Sequence, residues 1–146
     1  CFLDHDAMFT TGDWYHQLED IISKNSDVGL YSCLTNRIGN PMQKLGGIDD
    51  NDHDIALHRR IGKNLQDKHY DSVHIESKLN GWLMSGVIIL ISKKAWKSVG
   101  GFKPGFLSVD NDIHQKCIEN NIKIGIMHGV YVYHWYRGDG NTSHLK

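Results

Sequence analysis

Val87-Ile88-Ile89-Leu90-Ile91-Ser92-Lys93-Lys94-Ala95-Trp96-Lys97-Ser98-Val99-Gly100-Gly101-Phe102 changes character twice. Val87 to Ile91 is apolar at every position, the pattern of a strand covered on both faces. Ser92 stands where a helix cap belongs, a short helix follows through Trp96 to Val99, and Gly100-Gly101 ends it. Downstream, Asp110 to Asn121 reads as a second helix with Ile113, Cys117 and Ile118 on one face. Ile122 to Met127 and Val130 to Tyr133 then read as two short strands separated by His128-Gly129. Upstream, Val28 to Leu34 is a β-rich run bounded by turn residues. Trp14, Leu18, Ile21 and Ile22 recur at helical spacing, with Thr11 or Asp13 as the cap. Thr35 to Asp54 is loop-like, a short helix of poor apolar pattern spans Ile55 to Leu65, and Cys1-Phe2-Leu3 reads as the end of a buried strand. Strands alternating with helices predict an α/β fold, a single domain over residues 1–146, with the last strand pair open to an antiparallel arrangement.

Composition narrows the function classes. The 146 residues carry 16 basic and 17 acidic side chains, a formal charge of −1. A protein that binds nucleic acid by neutralising phosphates shows a basic excess or stripe, and this chain has neither. Its longest apolar run falls far short of the ~20 residues of a membrane helix, so no transmembrane segment is expected. Three widely spaced cysteines (Cys1, Cys33, Cys117) without a CxxC argue against a disulfide framework and for a reducing compartment. No signal-peptide pattern precedes the acidic residues, and the expected location is cytoplasmic. The absence of an initiator Met and a start inside a strand point to a piece of a longer protein.

Three constellations could carry chemistry. Asp4-His5-Asp6 follows a strand end, where a turning chain lets two carboxylates approach one hard divalent cation, Mg²⁺ or Mn²⁺; a polar turn is the plainer reading. Asp110-Asn111-Asp112 opens a helix, whose N-terminal partial positive charge favours carboxylates, and helix capping accounts for one of them. His134, in Val132-Tyr133-His134-Trp135-Tyr136-Arg137, is either a satisfied interior imidazole or the third member of a carboxylate–imidazole site. Trp82, Trp135 and Tyr136 offer flat aromatic faces to a ligand ring, whereas Trp96 is expected in the core. Asn36 and Arg37 either line a binding pocket or cap a loop. Asp49-Asp50-Asn51-Asp52 looks like a calcium loop but has Ile61 where an EF-hand needs Glu, counting from Asp50, and reads as a solvated loop.

Taken in order, these motifs resemble the family-2 glycosyltransferases with the GT-A fold. The resemblance runs from Phe2-Leu3-Asp4-His5-Asp6 through Thr35-Asn36-Arg37-Ile38-Gly39 and Ser85-Gly86-Val87-Ile88-Ile89-Leu90-Ile91. It continues through Val99-Gly100-Gly101-Phe102 and Val109-Asp110-Asn111-Asp112 to His134. It implies a Rossmann-like mixed sheet flanked by helices, with no counterpart before Cys1 to the family's N-terminal nucleotide-binding half. It further implies a metal-dependent, inverting transfer of a sugar from a nucleotide-diphosphate donor to an acceptor hydroxyl, with Mn²⁺ or Mg²⁺ as cofactor. Asp4 and Asp6 would be the DXD motif and His134 the third metal ligand. Asp110 or Asp112 would be the catalytic base, and Gly100, Gly101 and Phe102 the loop shaping the donor and acceptor pocket, with Trp82 beside it.

Two rival readings remain. A haloacid-dehalogenase-like phosphatase also begins with an apolar strand ending in D-x-D; Asp4 would then be a nucleophile and His134 irrelevant. A non-catalytic remnant that binds carbohydrate or a protein partner would keep the fold without turnover.

Overall fold

The computed structural model describes residues 1–76, 83–105 and 108–136. Trp82 and the polar tail from Gly138 lie outside them. The elements are β1 (Phe2–Leu3), β2 (Ala7–Phe9), α1 (Trp14–Lys24), β3 (Val28–Thr35), α2 (Ile55–His69), β4 (Val73–Glu76), β5 (Ile88–Ile91), α3 (Lys93–Val99), α4 (Val109–Glu119) and β6 (Lys123–His134). The fold is mixed α/β, with one six-stranded mixed sheet in the order β1-β5-β3-β6-β2 and with β4 also paired to β6. Among the described strands β3 and β6 run parallel and the other strand pairs are antiparallel. No described helix is long and apolar enough to cross a membrane. Cys1, Cys33 and Cys117 are all free thiols.

The unit from Val87 to Phe102 folds as its sequence predicts. Ser92 Oγ accepts the Ala95 N–H at 3.1 Å, and Gly100 closes α3 in the left-handed region at φ 74°. The next glycine, Gly101, has φ 72° and lies against the Trp96 indole, where a Cβ would stand 2.7 Å from Cζ2. Every residue of β3 is buried because both faces of the sheet are covered. On one face, Leu18 and Ile21 of α1 pack with Tyr31, Cys33, Ile88 and Met127. The alternate side chains Leu30, Ile89 and Ile124 meet Val99 of α3 and Ile113 and Cys117 of α4, while Leu34 and Ile126 meet Ile61 and Leu65 of α2.

Several elements differ from the sequence reading. Cys1-Phe2-Leu3 does not end a buried strand: β1 is an exposed edge, with Phe2 stacked on Trp96 at 5.5 Å. β2 and β4 add two short strands. Ile22 faces solvent and Gln17 takes the buried place in α1. α2 runs on to His69 because its buried stripe, His58, Gly62 and Gln66, is polar or small. His58 donates from Nε2 to the Asp52 carbonyl at 2.8 Å and accepts from the Tyr131 hydroxyl at 2.8 Å. Gln66 donates to Asp13 Oδ1 at 2.9 Å and to Gln17 Oε1 at 3.2 Å.

The expected pair of strands around His128-Gly129 is one strand, β6, parallel to β3. Cys33 pairs with Met127 and Leu34 with Tyr131, so His128, Gly129 and Val130 are extra residues bulged out of the ladder. The bulge lets the end of α2 dock, since a Cβ on Gly129 would lie 2.8 Å from the His69 carbonyl carbon and 2.9 Å from the Tyr70 oxygen. Those neighbours are backbone and cannot turn aside. Gly129→Ala is therefore expected to destabilise the fold by about 1–3 kcal/mol, as overpacking does, read as a lower urea midpoint at unchanged m-value.

Candidate functional site

Sheet pairing brings the two ends of the described chain together. Asp4 is held where β1 leaves the sheet, its N–H donating to the Val87 carbonyl at 3.0 Å, and the Ala7 N–H closes the turn onto the Asp4 carbonyl at 3.1 Å. β2 then pairs with the end of β6, placing Ala7 opposite His134 and bonding the Trp135 N–H to the Asp6 carbonyl at 3.0 Å. As a result His134 Nε2 lies 3.5 Å from Asp6 Oδ1 and 3.9 Å from Asp4 Oδ2. One ligand atom from each of the three residues falls within 4.8 Å of the others, the single such cluster among the described residues.

The imidazole is oriented for this position. His134 Nδ1 lies 2.8 Å from the Arg37 carbonyl, which can only accept, so Nδ1 carries a hydrogen and the ring turns its Nε2 towards the two carboxylates. Asn36, fully buried, fixes the backbone of the same residue. Its Oδ1 accepts the His134 N–H at 2.8 Å and its Nδ2 donates to the His134 carbonyl at 3.1 Å. Asn36 and Arg37 thus hold the histidine rather than cap a loop. Burial pushes the Asp4 carboxyl above its ordinary range; His134 opposes that rise, and Asp6 and Asp110 add to it. Two carboxylates and one imidazole nitrogen form a donor set that could hold Mn²⁺ or Mg²⁺.

Asp4 also borders a cleft of about 470 Å³ whose walls include Phe2, Gly86, Phe102, Lys103 and Asp110. Asp110 is fixed there by two backbone donors, Gly86 N–H to Oδ2 at 2.8 Å and Asn111 N–H to Oδ1 at 2.9 Å. Gly86 permits the approach, because a Cβ there would stand 2.8 Å from the Asp110 Cβ. Asp112 is turned elsewhere and pairs with Lys116 at 2.7 Å. Of the expected pocket loop, Phe102 reaches the cleft, while Gly100 and Gly101 serve to end α3. Phe102 packs edge-on against Phe2 at 4.8 Å and Trp96 at 5.0 Å, so Trp96 belongs to an aromatic cluster behind the cleft. Trp135 and Tyr136 are half exposed beside His134, with the Arg37 guanidinium 4.5 Å above the Tyr136 ring.

The acidic loop is consumed locally. Asp49, Asp52 and Asp54 accept backbone N–H groups two residues on, and Asp50 pairs with Lys44 at 2.7 Å. A second cleft, about 440 Å³ between this loop and α2, has mainly aliphatic walls from Leu45, Ile48 and Leu65. Asn36 and Gly86 are the site residues whose roles sequence reasoning leaves undecided. Both sit inside the quoted motifs, but what they touch lies far along the chain. Comparison with family models, with curated proteins and with solved structures finds no match for this chain.

Two outcomes test this geometry. Asn36→Ala should cost about 1–3 kcal/mol in urea unfolding, because it strands a buried N–H on β6. Asp4→Asn should raise the midpoint in the presence of a chelator, since it removes a carboxylate whose charged form the fold disfavours. The gain should stay below about 1 kcal/mol, because the side chain is half exposed and water screens it.

Proposed function

We propose that this chain is a metal-dependent glycosyltransferase that moves a sugar from a nucleotide-diphosphate sugar to an acceptor hydroxyl, its mixed sheet being of the GT-A kind. The observation that carries the reading is the double role of Asp4, a member of the carboxylate–imidazole cluster and a wall of the cleft that holds Asp110. Transfer needs a cation at the departing diphosphate and a base at the attacking hydroxyl within one sugar's breadth, and the two groups of residues share that residue. The ordered resemblance to family-2 glycosyltransferases supports the same assignment.

In this reading Asp4, Asp6 and His134 hold Mn²⁺ or Mg²⁺, which supplies Lewis-acid stabilisation of the diphosphate. Asp110 takes the proton of the acceptor hydroxyl, a contribution worth ~10²–10⁴ in rate for a positioned general base. Its two backbone donors keep the carboxylate aimed while the proton moves. Asp112, held by Lys116, is not available for that step. Phe2 and Phe102 give the cleft an apolar wall for a sugar face, and Lys103 adds a positive charge for the phosphates. Attack from the side opposite the diphosphate inverts the anomeric carbon.

Mn²⁺ titration followed by EPR in the presence of UDP tests the reading. Wild type and Asp110→Asn should bind the ion, and Asp6→Ala and His134→Ala should each lose it. Loss in Asp6→Ala alone would favour the phosphatase reading, which makes no use of His134. A wild type that binds no Mn²⁺ would overturn the proposal.

A further inference from the structure

Arg37 meets the carboxylate–imidazole cluster twice, through its main chain and through its side chain. Its carbonyl accepts from His134 Nδ1 at 2.8 Å, a contact in which the guanidinium takes no part. The side chain lies instead over Tyr136, with the guanidinium carbon 4.5 Å from the ring centre, and that ring meets the His134 imidazole edge-on at 5.5 Å. The positive charge is thus one aromatic ring away from the histidine whose Nε2 faces Asp4 and Asp6. Tyr136 reaches this place with its backbone in the left-handed region, at φ 41°. A bulky residue takes up that conformation only where its surroundings hold it, and here they hold a ring face beneath a cation. The guanidinium is held but not neutralised. It donates from Nη1 to the side-chain oxygen of Asn51, a neutral amide on the exposed acidic loop, at 3.2 Å. No carboxylate among the described residues pairs with it, whereas Lys24, Lys44, Lys63, Lys116 and Lys123 each pair with an aspartate. A guanidinium presents a planar fork of N–H donors, so one neutral hydrogen bond leaves most of its capacity for an anion.

We propose that the Arg37 guanidinium, seated on the Tyr136 ring beside His134, is a phosphate-binding group of this site and pairs with the oxygens of a diphosphate. The proposal rests on the metal-dependent reading above for the cation and adds a partner for the anion. Charge balance calls for one. Two carboxylates cancel the charge of a divalent ion, and Asp110 adds its own negative charge beside Asp4. A diphosphate brought to the ion would meet net repulsion unless a fixed positive charge stood near. Lys103 approaches from the cleft wall and Arg37 from the His134 side. Arginine suits the second place, because its planar fork makes two parallel bonds to phosphate oxygens where a lysine acts as a point charge. The division within Arg37 is also what makes the role separable: the main chain orients the metal ligand, and the side chain is left to the anion.

Calorimetric titration of the full chain with pyrophosphate, supplied as its Mn²⁺ complex and as the free anion, tests the assignment, with Mn²⁺ affinity alone read by EPR. Wild type should bind the Mn²⁺ complex. Arg37→Gln should weaken that binding about 10–100-fold, the loss of one charge-assisted partner, while Mn²⁺ affinity stays within about twofold. The carbonyl that orients His134 survives the substitution, so unchanged Mn²⁺ affinity separates a lost phosphate contact from a displaced metal ligand. Arg37→Lys should recover only part of the loss, and Tyr136→Leu should weaken pyrophosphate binding without changing Mn²⁺ affinity. An Arg37→Gln protein that binds pyrophosphate as wild type does, or that loses Mn²⁺ in the same proportion, would overturn the side-chain role and leave the metal reading standing. A wild type that binds free pyrophosphate but no Mn²⁺, and loses the anion in Arg37→Gln, would overturn the metal reading and uphold this assignment. A wild type that takes up pyrophosphate in neither form would overturn the assignment itself.

Discussion

The parallel pairing of β3 with β6 is the constraint on which the other elements depend. β6 pairs with β3 from Lys123 to Val132, bulge apart, and its opposite edge is divided, the first part pairing with β4 and the last part with β2. Each short strand is thereby fixed by a long buried one and needs little pattern of its own. The register matters because side chains alternate between faces along a strand. A slip of one residue between β2 and β6 would carry His134 to the opposite face, away from Asp4 and Asp6. Asn36, 98 positions from His134 and next to the end of β3, fixes that end of β6 against β3 by bonding both backbone groups of His134.

Buried polar groups extend the same control to Asp110. Gln43 is fully buried and donates to Ser32 Oγ on β3 at 2.7 Å and to the Ser85 carbonyl at 3.0 Å, while accepting the Ser85 N–H at 2.9 Å. Ser85 is the neighbour of Gly86, whose N–H holds Asp110. The carboxylate is thus referred to the central strand through one side-chain network. Each member would be costly to bury alone; bonded together they define one arrangement of the segment before β5. A core made only of aliphatic side chains would bury the strand equally well without choosing where Gly86 stands.

What was legible in the sequence follows from the range of the interactions concerned. The β5–α3 unit reads correctly because its signals are local: an apolar run, a serine cap, a left-handed glycine. α2 reads short because its inward stripe is His58, Gly62 and Gln66, which carry the helical period in polar side chains paired with residues remote in sequence. Ala7-Met8-Phe9 is too short to show alternation and Val73-His74-Ile75-Glu76 alternates over four residues only, and both become strands against β6. His128-Gly129 resembles a turn, but the parallel partner β3 continues past it, so the same residues form a bulge. The DXD pair, His134 and Asp110 are legible as residue types suited to one chemistry. That Asp4, Asp6 and His134 meet depends on β pairing, and that Asp110 rather than Asp112 faces the cleft depends on Gly86 and Lys116.

The electrostatics of the site argue that its shape is set in advance of any ligand. Asp6 and Asp110 each repel the Asp4 carboxylate, and the rise in the Asp4 carboxyl records burial first and then that repulsion, against the opposing pull of His134. Free carboxylates would relieve the strain by swinging into water, yet each backbone is pinned: Asp4 by Val87, Asp6 by Trp135, and Asp110 by the helix it opens. The repulsion at Asp4 is part of the folded protein and would be relieved by proton uptake or by a cation. A fold that accepts this penalty gives up stability for a site whose donors need not be gathered at the moment of binding. The sheet register places the carboxylates, the carboxylates create a deficit of positive charge, and on the proposed reading a divalent cation would meet that deficit without rearranging the strands.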